Sequence, residues 1–253
     1  QKVGIIEIEG VILDARAVLE DLKRFREEDS VRAIVLRIDS PGGVVGPAQE
    51  IYREVRKTCE EKTVIASMGA IAASGGYYVA AAADGVMANP GTITGSIGVI
   101  IEYTNFQSLL DKIGLVPVVI KSGEYKDLAS PVKPMSEEER KILQTFADQT
   151  HTQFIRAVAE GRGMDDGAVT RLADGRIFNG EQARELGLVD RLGNLQDAVD
   201  WAAELAGIEG DVKTVYSRTE KYSLLGLLTE GAATFLARRL KASELFAGYL
   251  YRP

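Results

Sequence analysis

Histidine and cysteine are almost absent from this 253-residue chain, which has one of each. A single cysteine, Cys59, excludes an intrachain disulfide. Ile51, Val55 and Cys59 recur four apart, which predicts a buried thiol on a helix. A Ser–His–Asp triad would have to use His151. Its neighbours Thr150, Thr152 and Gln153 read as a polar helix face, so an exposed or capping histidine is expected. One histidine and one cysteine far apart supply no zinc-ligand cluster, and no metal or cofactor is expected. Positive charge is also short. The 30 Lys and Arg face 37 Asp and Glu, a net charge of −7, which gives no electrostatic footprint for a nucleic-acid backbone. The one uncharged stretch of membrane-spanning length, Thr63–Ala83, is mostly Ala, Gly and Ser. Gly69, Gly75 and Gly76 interrupt any helix there, and Val64 and Ile65 open it as a strand. Internal repeats and low-complexity segments are absent too.

What is present is an ordinary globular composition, 45% apolar and 26% charged, on a chain long enough for a sizeable core. The chain opens in a strand-like run, Val3–Ile8, rather than in a signal peptide. Val31–Ile38 is an apolar run rich in β-branched residues, as in a strand buried on both faces. A helix is predicted over about Pro47–Glu61, a strand at Thr63–Ala66 and a helix over about Ser74–Ala83. Extended pieces follow at Val86–Ala88 and Thr92–Ile101, a helix at Phe106–Ile113 and a strand at Leu115–Ile120. Lys121–Pro134 reads as a loop. Ser136 and Glu139 form a capping box for a long helix reaching Gly161. Ile177–Phe178 and a helix over about Asn194–Ala206 come after it. The alternation predicts an α/β fold with a largely parallel sheet. No linker divides the chain, so one domain over 1–253 is expected, with an apolar helical extension from about 220.

Two glycine-rich turns are candidates for chemistry. Ser40–Pro41–Gly42–Gly43 follows a buried strand, where glycine permits positive φ and leaves backbone N–H groups uncovered, as an oxyanion hole requires. Ala72–Ala73–Ser74–Gly75–Gly76–Tyr77–Tyr78 lies between a strand and a helix. Ser74 suits a helix N-cap and equally a nucleophile beside free N–H groups. A serine nucleophile needs a base. With histidine improbable on these grounds, lysine remains, provided burial brings its pKa from about 10.4 toward ~7–8. Lys121–Ser122–Gly123–Glu124–Tyr125–Lys126–Asp127 offers two lysines, and spacing alone does not choose between them.

Taken in order, these motifs resemble the signal peptide peptidase A family in its short bacterial form. The ones that carry the resemblance are Asp39–Ser40–Pro41–Gly42–Gly43, Ala73–Ser74–Gly75–Gly76–Tyr77–Tyr78, Gly95–Ser96–Ile97–Gly98–Val99 and Lys121–Asp127. Gly180–Glu181–Gln182–Ala183 and Gly187–Leu188–Val189–Asp190 extend it, so that it covers roughly residues 3–205. The resemblance implies a Ser–Lys dyad with Ser74 as nucleophile, Lys126 as general base and Ser96 hydrogen-bonded to that lysine. It implies oxyanion donors at Gly43, Gly75 and also Gly42, and a spiral of ββα units shared with Clp protease and crotonase. It further implies a homo-oligomeric ring or dome in which serine and lysine meet across a subunit boundary. The expected activity is endopeptidase cleavage of signal-peptide remnants and misfolded exported proteins. The expected location is the outer side of the bacterial cell membrane, behind an N-terminal anchor preceding these residues. A Ser–Lys protease of stomatin-like partners, a crotonase-type acyl-CoA enzyme and a non-catalytic scaffold are the alternatives.

Overall fold

A computed structural model describes residues 1–217 and the backbone of residues 246–250. The apolar tail expected to be helical falls between and beyond these, outside the described residues. The chain divides into two units. The first comprises residues 1–99, 151–221 and 248–253; the second comprises 100–150 and 222–247.

In chain order the elements of the first half are β1 (Lys2–Glu9), α1 (Arg16–Glu27), β2 (Val31–Ser40), β3 (Gly42–Val44), α2 (Val45–Cys59) and β4 (Thr63–Ala73). Then come α3 (Gly75–Ala80), β5 (Gly85–Ala88), β6 (Ile93–Gly95), β7 (Ile100–Glu102) and α4 (Gln107–Ile113). The second half holds α5 (Glu137–Arg162), α6 (Asp166–Leu172), β8 (Ile177–Phe178), α7 (Gly180–Glu185), β9 (Arg191–Leu192), α8 (Leu195–Leu205), β10 (Lys213–Tyr216) and β11 (Phe246–Leu250).

The first unit is built on one sheet, in the order β10-β1-β2-β4-β5-β9, with β6 attached to β4 and β8 to β6. Every pair in it is parallel except β6 with β8. Side chains alternate along a strand, so a sheet covered on both faces needs apolar residues at every position. In β2, Ile34, Leu36 and Ile38 face a core with Leu22 and Phe25 of α1 and Ile51 and Val55 of α2. Ala33 and Val35 face a second core with Val199, Trp201 and Ala202 of α8. That two-sided burial is why Val31–Ile38 shows no polar alternation.

The last turns of α5 lie in the first unit and bury Phe154 and Val158. His151 is three and seven residues before these, on the same helical face. Among the described residues its Nε2 is accordingly buried without a hydrogen-bond partner, which corrects the exposed or capping histidine expected from its polar neighbours. Cys59 ends α2 as expected, its Sγ 3.6 Å from the Ala82 carbonyl oxygen. Burial pushes this thiol up to about 12.

In the second unit, α4 and the capping box at the start of α5 form as the sequence predicts. The Ser136 hydroxyl accepts from the Glu139 N–H at 3.1 Å, and the Glu139 carboxylate accepts from the Ser136 N–H at 2.9 Å. The predicted strand Leu115–Ile120 does not form. Among the described residues no strand lies beside it to complete a ladder, and Val116 and Ile120 are 82% and 97% exposed. Among the described residues no helix is long and apolar enough to cross a membrane.

Candidate active site

β4 runs seven residues further than the sequence suggests, to Ala73, and delivers Ser74 to the start of α3. Ser74 has φ 51° and ψ −118°, a conformation costly for any residue with a Cβ. Such strain, of order 1–3 kcal/mol, persists only where surrounding bonds over-determine it. Here the Ser74 N–H donates to the Gly95 carbonyl at 2.8 Å, and the Ser74 carbonyl accepts from the Tyr78 N–H at 2.8 Å. The residue is 1% exposed. Gly75 opens α3, so its N–H has no partner within the helix.

Ala73 of β4 is in register with Gly95 of β6, so the residues that follow each strand, Ser74 and Ser96, are brought side by side. Ser96 also has positive φ, 49°, is buried, and donates its N–H to the Arg176 carbonyl at 2.8 Å. Two serines with left-handed backbones at the ends of adjacent strands are a feature no spacing rule would have found.

The Pro-Gly-Gly turn belongs to the same unit. Gly42 has φ 101°, which requires glycine. Gly43 is needed for space instead, since a Cβ there would lie 2.1 Å from the Ile12 carbonyl oxygen. The Gly42 carbonyl accepts from the Ile12 N–H at 2.9 Å, and the Val44 N–H donates to the Ile12 carbonyl at 2.8 Å. Strand backbone groups alternate in direction, so the N–H and carbonyl of Gly43 point to the other edge. β11 occupies that edge, antiparallel, with Tyr249 in register with Gly43. The Gly42 N–H donates to the Ser40 hydroxyl at 3.1 Å.

Two further motifs brace the first unit. The buried Tyr77 hydroxyl donates to the Leu188 carbonyl at 2.9 Å. The carboxylate of Asp190 accepts from the Val86 N–H at 2.7 Å and pairs with Arg162 at 2.6 Å. Gly180 abuts the Asn89 carbonyl, where a Cβ would come within 2.0 Å. These residues are structural, and their side chains make no other described contribution to the site.

Lys126 belongs to the second unit, in the loop before α5. The lysines of that loop are in different states. The Lys121 ammonium donates to Asp127 at 2.6 Å and to the Glu124 carbonyl at 2.7 Å. Lys133 reaches the same Asp127 oxygen at 2.9 Å and Glu139 at 2.5 Å. The hydrogen bonds from Lys121 and Lys133 hold the Asp127 carboxyl down at about 2. The Lys126 side chain is exposed, and no hydrogen bond or ion pair engages it among the described residues. Among the described residues no cluster of His, Cys, Asp and Glu suits a metal ion.

The profile of peptidase family S49 matches residues 56–209, more than half of the chain, and that of Clp protease matches residues 2–93. The slr0021 protein of Synechocystis sp. is 46% identical over 233 residues, which is 91% of this chain and 84% of that one. Protease 4 of Haemophilus influenzae is 33% identical over 83% of this chain, and the chloroplastic serine protease SPPA of Arabidopsis thaliana is 34% identical over 81%. This chain spans only 36% and 30% of the lengths of those two. The ordered motifs, the Clp-protease-like α/β fold and these matches converge on one assignment: the chain is a serine peptidase belonging to peptidase family S49.

Proposed function

We propose that the chain is a serine endopeptidase with Ser74 as nucleophile and Lys126 as general base. The observation that carries the reading is the strained, buried conformation of Ser74 at the junction of β4 and α3, beside Gly75, whose N–H opens the helix. In this mechanism neutral Lys126 takes the proton from Ser74 Oγ as that oxygen attacks the scissile carbonyl carbon. The N–H groups of Gly43 and Gly75 receive the resulting oxyanion. The Lys126 ammonium then gives its proton to the departing amine, leaving an acyl-serine that water hydrolyses with the same lysine as base. In the assembled site the Ser96 hydroxyl is the group proposed to hydrogen-bond Lys126 and orient it. The freedom of Lys126 from ion pairing, against the engagement of Lys121 with Asp127, supports Lys126 as the base.

Peptide substrate is supported by the edge of β3 bearing Gly43, which accepts an extended strand, as its pairing with β11 illustrates. The substrates proposed are signal-peptide remnants and misfolded exported proteins, cleaved on the outer side of a bacterial membrane to which an N-terminal anchor tethers the domain. A homo-oligomeric ring is part of the proposal. It supplies the burial that an exposed Lys126 lacks, and the uncovered Leu115–Ile120 run is suited to pairing with a neighbour.

The test is mass spectrometry after reaction with a peptidyl fluorophosphonate. The expected adduct sits on Ser74, and Ser74→Ala abolishes both adduct and peptide hydrolysis, the latter by at least about 10³-fold, with the fold intact. An adduct on another residue, or hydrolysis by Ser74→Ala at near the parent rate, overturns the assignment.

A further inference from the structure

We propose that Asp39 and Ser40, consecutive residues at the end of β2, are positioning residues that hold the nucleophile's strand and the oxyanion-binding turn in register with each other. The inference rests on the Ser74 peptidase reading. Its starting point is an irregularity. β2 and β4 pair one-to-one from Ala33 with Thr63 up to Ile38 with Met68, and the next partners are Ser40 and Ala72. Two steps along β2 therefore match four along β4, so β4 carries a bulge at Gly69–Ala70–Ile71, directly before Ala72 and Ala73 lead into Ser74.

The backbone groups that the bulge removes from the ladder are caught by side chains. Asp39 Oδ1 accepts from the Ile71 N–H at 3.2 Å. Its other oxygen covers Gly69 so closely that a Cβ there would lie 2.8 Å away. The Gly69 carbonyl accepts from the Thr92 hydroxyl at 2.7 Å, and the Met68 carbonyl from Arg37 at 3.2 Å. Asp39 is thus the member of β2 that fixes how far along β4 the nucleophile is delivered.

Ser40, on the opposite face of the strand, is fully buried. Its hydroxyl accepts the Gly42 N–H at 3.1 Å, which ties up that donor and pins the turn whose next residue, Gly43, directs its N–H to the edge where β11 pairs. Its backbone carbonyl packs against Gly76 of α3, where a Cβ would lie only 2.7 Å from it. One dipeptide therefore touches the strand before the nucleophile, the helix after it and the turn that supplies the second donor. Stabilising an oxyanion depends on where those donors sit, and misplacement by about 1 Å costs roughly 10²-fold.

The experiment measures peptide hydrolysis, inhibition by a peptide aldehyde and binding of an uncleavable peptide, for the parent and for Ser40→Ala, Asp39→Ala and Asp39→Asn. The aldehyde forms a tetrahedral adduct with Ser74 and reports the oxyanion site, whereas the uncleavable peptide reports ground-state binding. Expected for Ser40→Ala and Asp39→Ala is a fall in kcat of about 10- to 100-fold, with KM within about threefold. The aldehyde should weaken by the same factor and the uncleavable peptide should be unaffected. Asp39→Asn keeps an acceptor oxygen and should recover most of the activity. If Ser40→Ala does not fold, the two Asp39 variants decide. The proposal is overturned by activity within about threefold of the parent, by equal weakening of both ligands, or by Asp39→Asn no better than Asp39→Ala. A parent that neither hydrolyses peptide nor forms the aldehyde adduct overturns the peptidase reading itself, and this inference with it.

Discussion

At the scale of single residues, burial decides which groups are chemically available. Cys59 looks like a reactive soft nucleophile on paper. Its thiol is instead pushed up to about 12, chiefly by burial and then by the nearby Asp84 carboxylate. The thiolate is the reactive form, so almost none exists near neutral pH. The native protein should therefore react with a disulfide reagent at pH 8 at least about 10²-fold more slowly than the urea-unfolded chain. Equal rates would show an accessible, ordinary thiol. The lysines invert this pattern, since Lys121 is tied to Asp127 while Lys126 is left without a partner among the described residues. Nothing in the local sequence distinguishes two lysines flanking Ser-Gly-Glu-Tyr, because the ion pair that separates them depends on how the loop folds.

At the scale of elements, the loop before α5 is held by charge rather than by apolar burial. Lys121, Asp127, Lys133 and Glu139 form one chain of ion pairs. The Asp127 carboxyl, lowered to about 2 from an ordinary value near 3.9, favours the folded loop whenever it is ionised. Glu139, lowered mainly by Lys133, acts in the same sense. Because both folded values are depressed, their contribution is complete above the unfolded values and disappears as pH falls through the folded ones. Hydrogen exchange of residues 121–134, corrected for intrinsic rates, should show protection at pH 5 that is lost toward pH 2. Asp127→Asn should show the weaker protection already at pH 5. Protection independent of pH in the parent would remove the ion-pair account. The element that failed to form, Leu115–Ile120, makes the complementary point. Its β-branched residues are suited to a strand, but a strand is completed only by a neighbour.

At the scale of the whole molecule, Ser74 and Lys126 belong to different units of the chain, 52 positions apart in sequence. Sequence spacing is silent on whether they combine within a chain or between chains. If the dyad is shared between protomers, Ser74→Ala and Lys126→Ala proteins are each inactive alone, but co-expressed they form rings in which some boundaries pair an intact serine with an intact lysine. Random mixing should recover about one quarter of parent activity. Confirmed mixed oligomers as inactive as the single variants would place the dyad within one chain.

The sequence by itself determined the class of chemistry and most of the scaffold. One histidine and one cysteine left little room for a triad or a zinc site, and two-sided apolar runs gave the parallel sheet. The capping box at Ser136 placed the start of α5, because a cap is a contact between residues three apart and is written locally. Only the tertiary structure decided that β11 takes the edge of Gly43, that β4 reaches Ser74 through a bulge, and that His151 turns inward. Each of these depends on what a residue meets across the fold. A strand paired from the far end of the chain, a neighbouring strand out of step, and an apolar helix face are not properties of the residues they constrain.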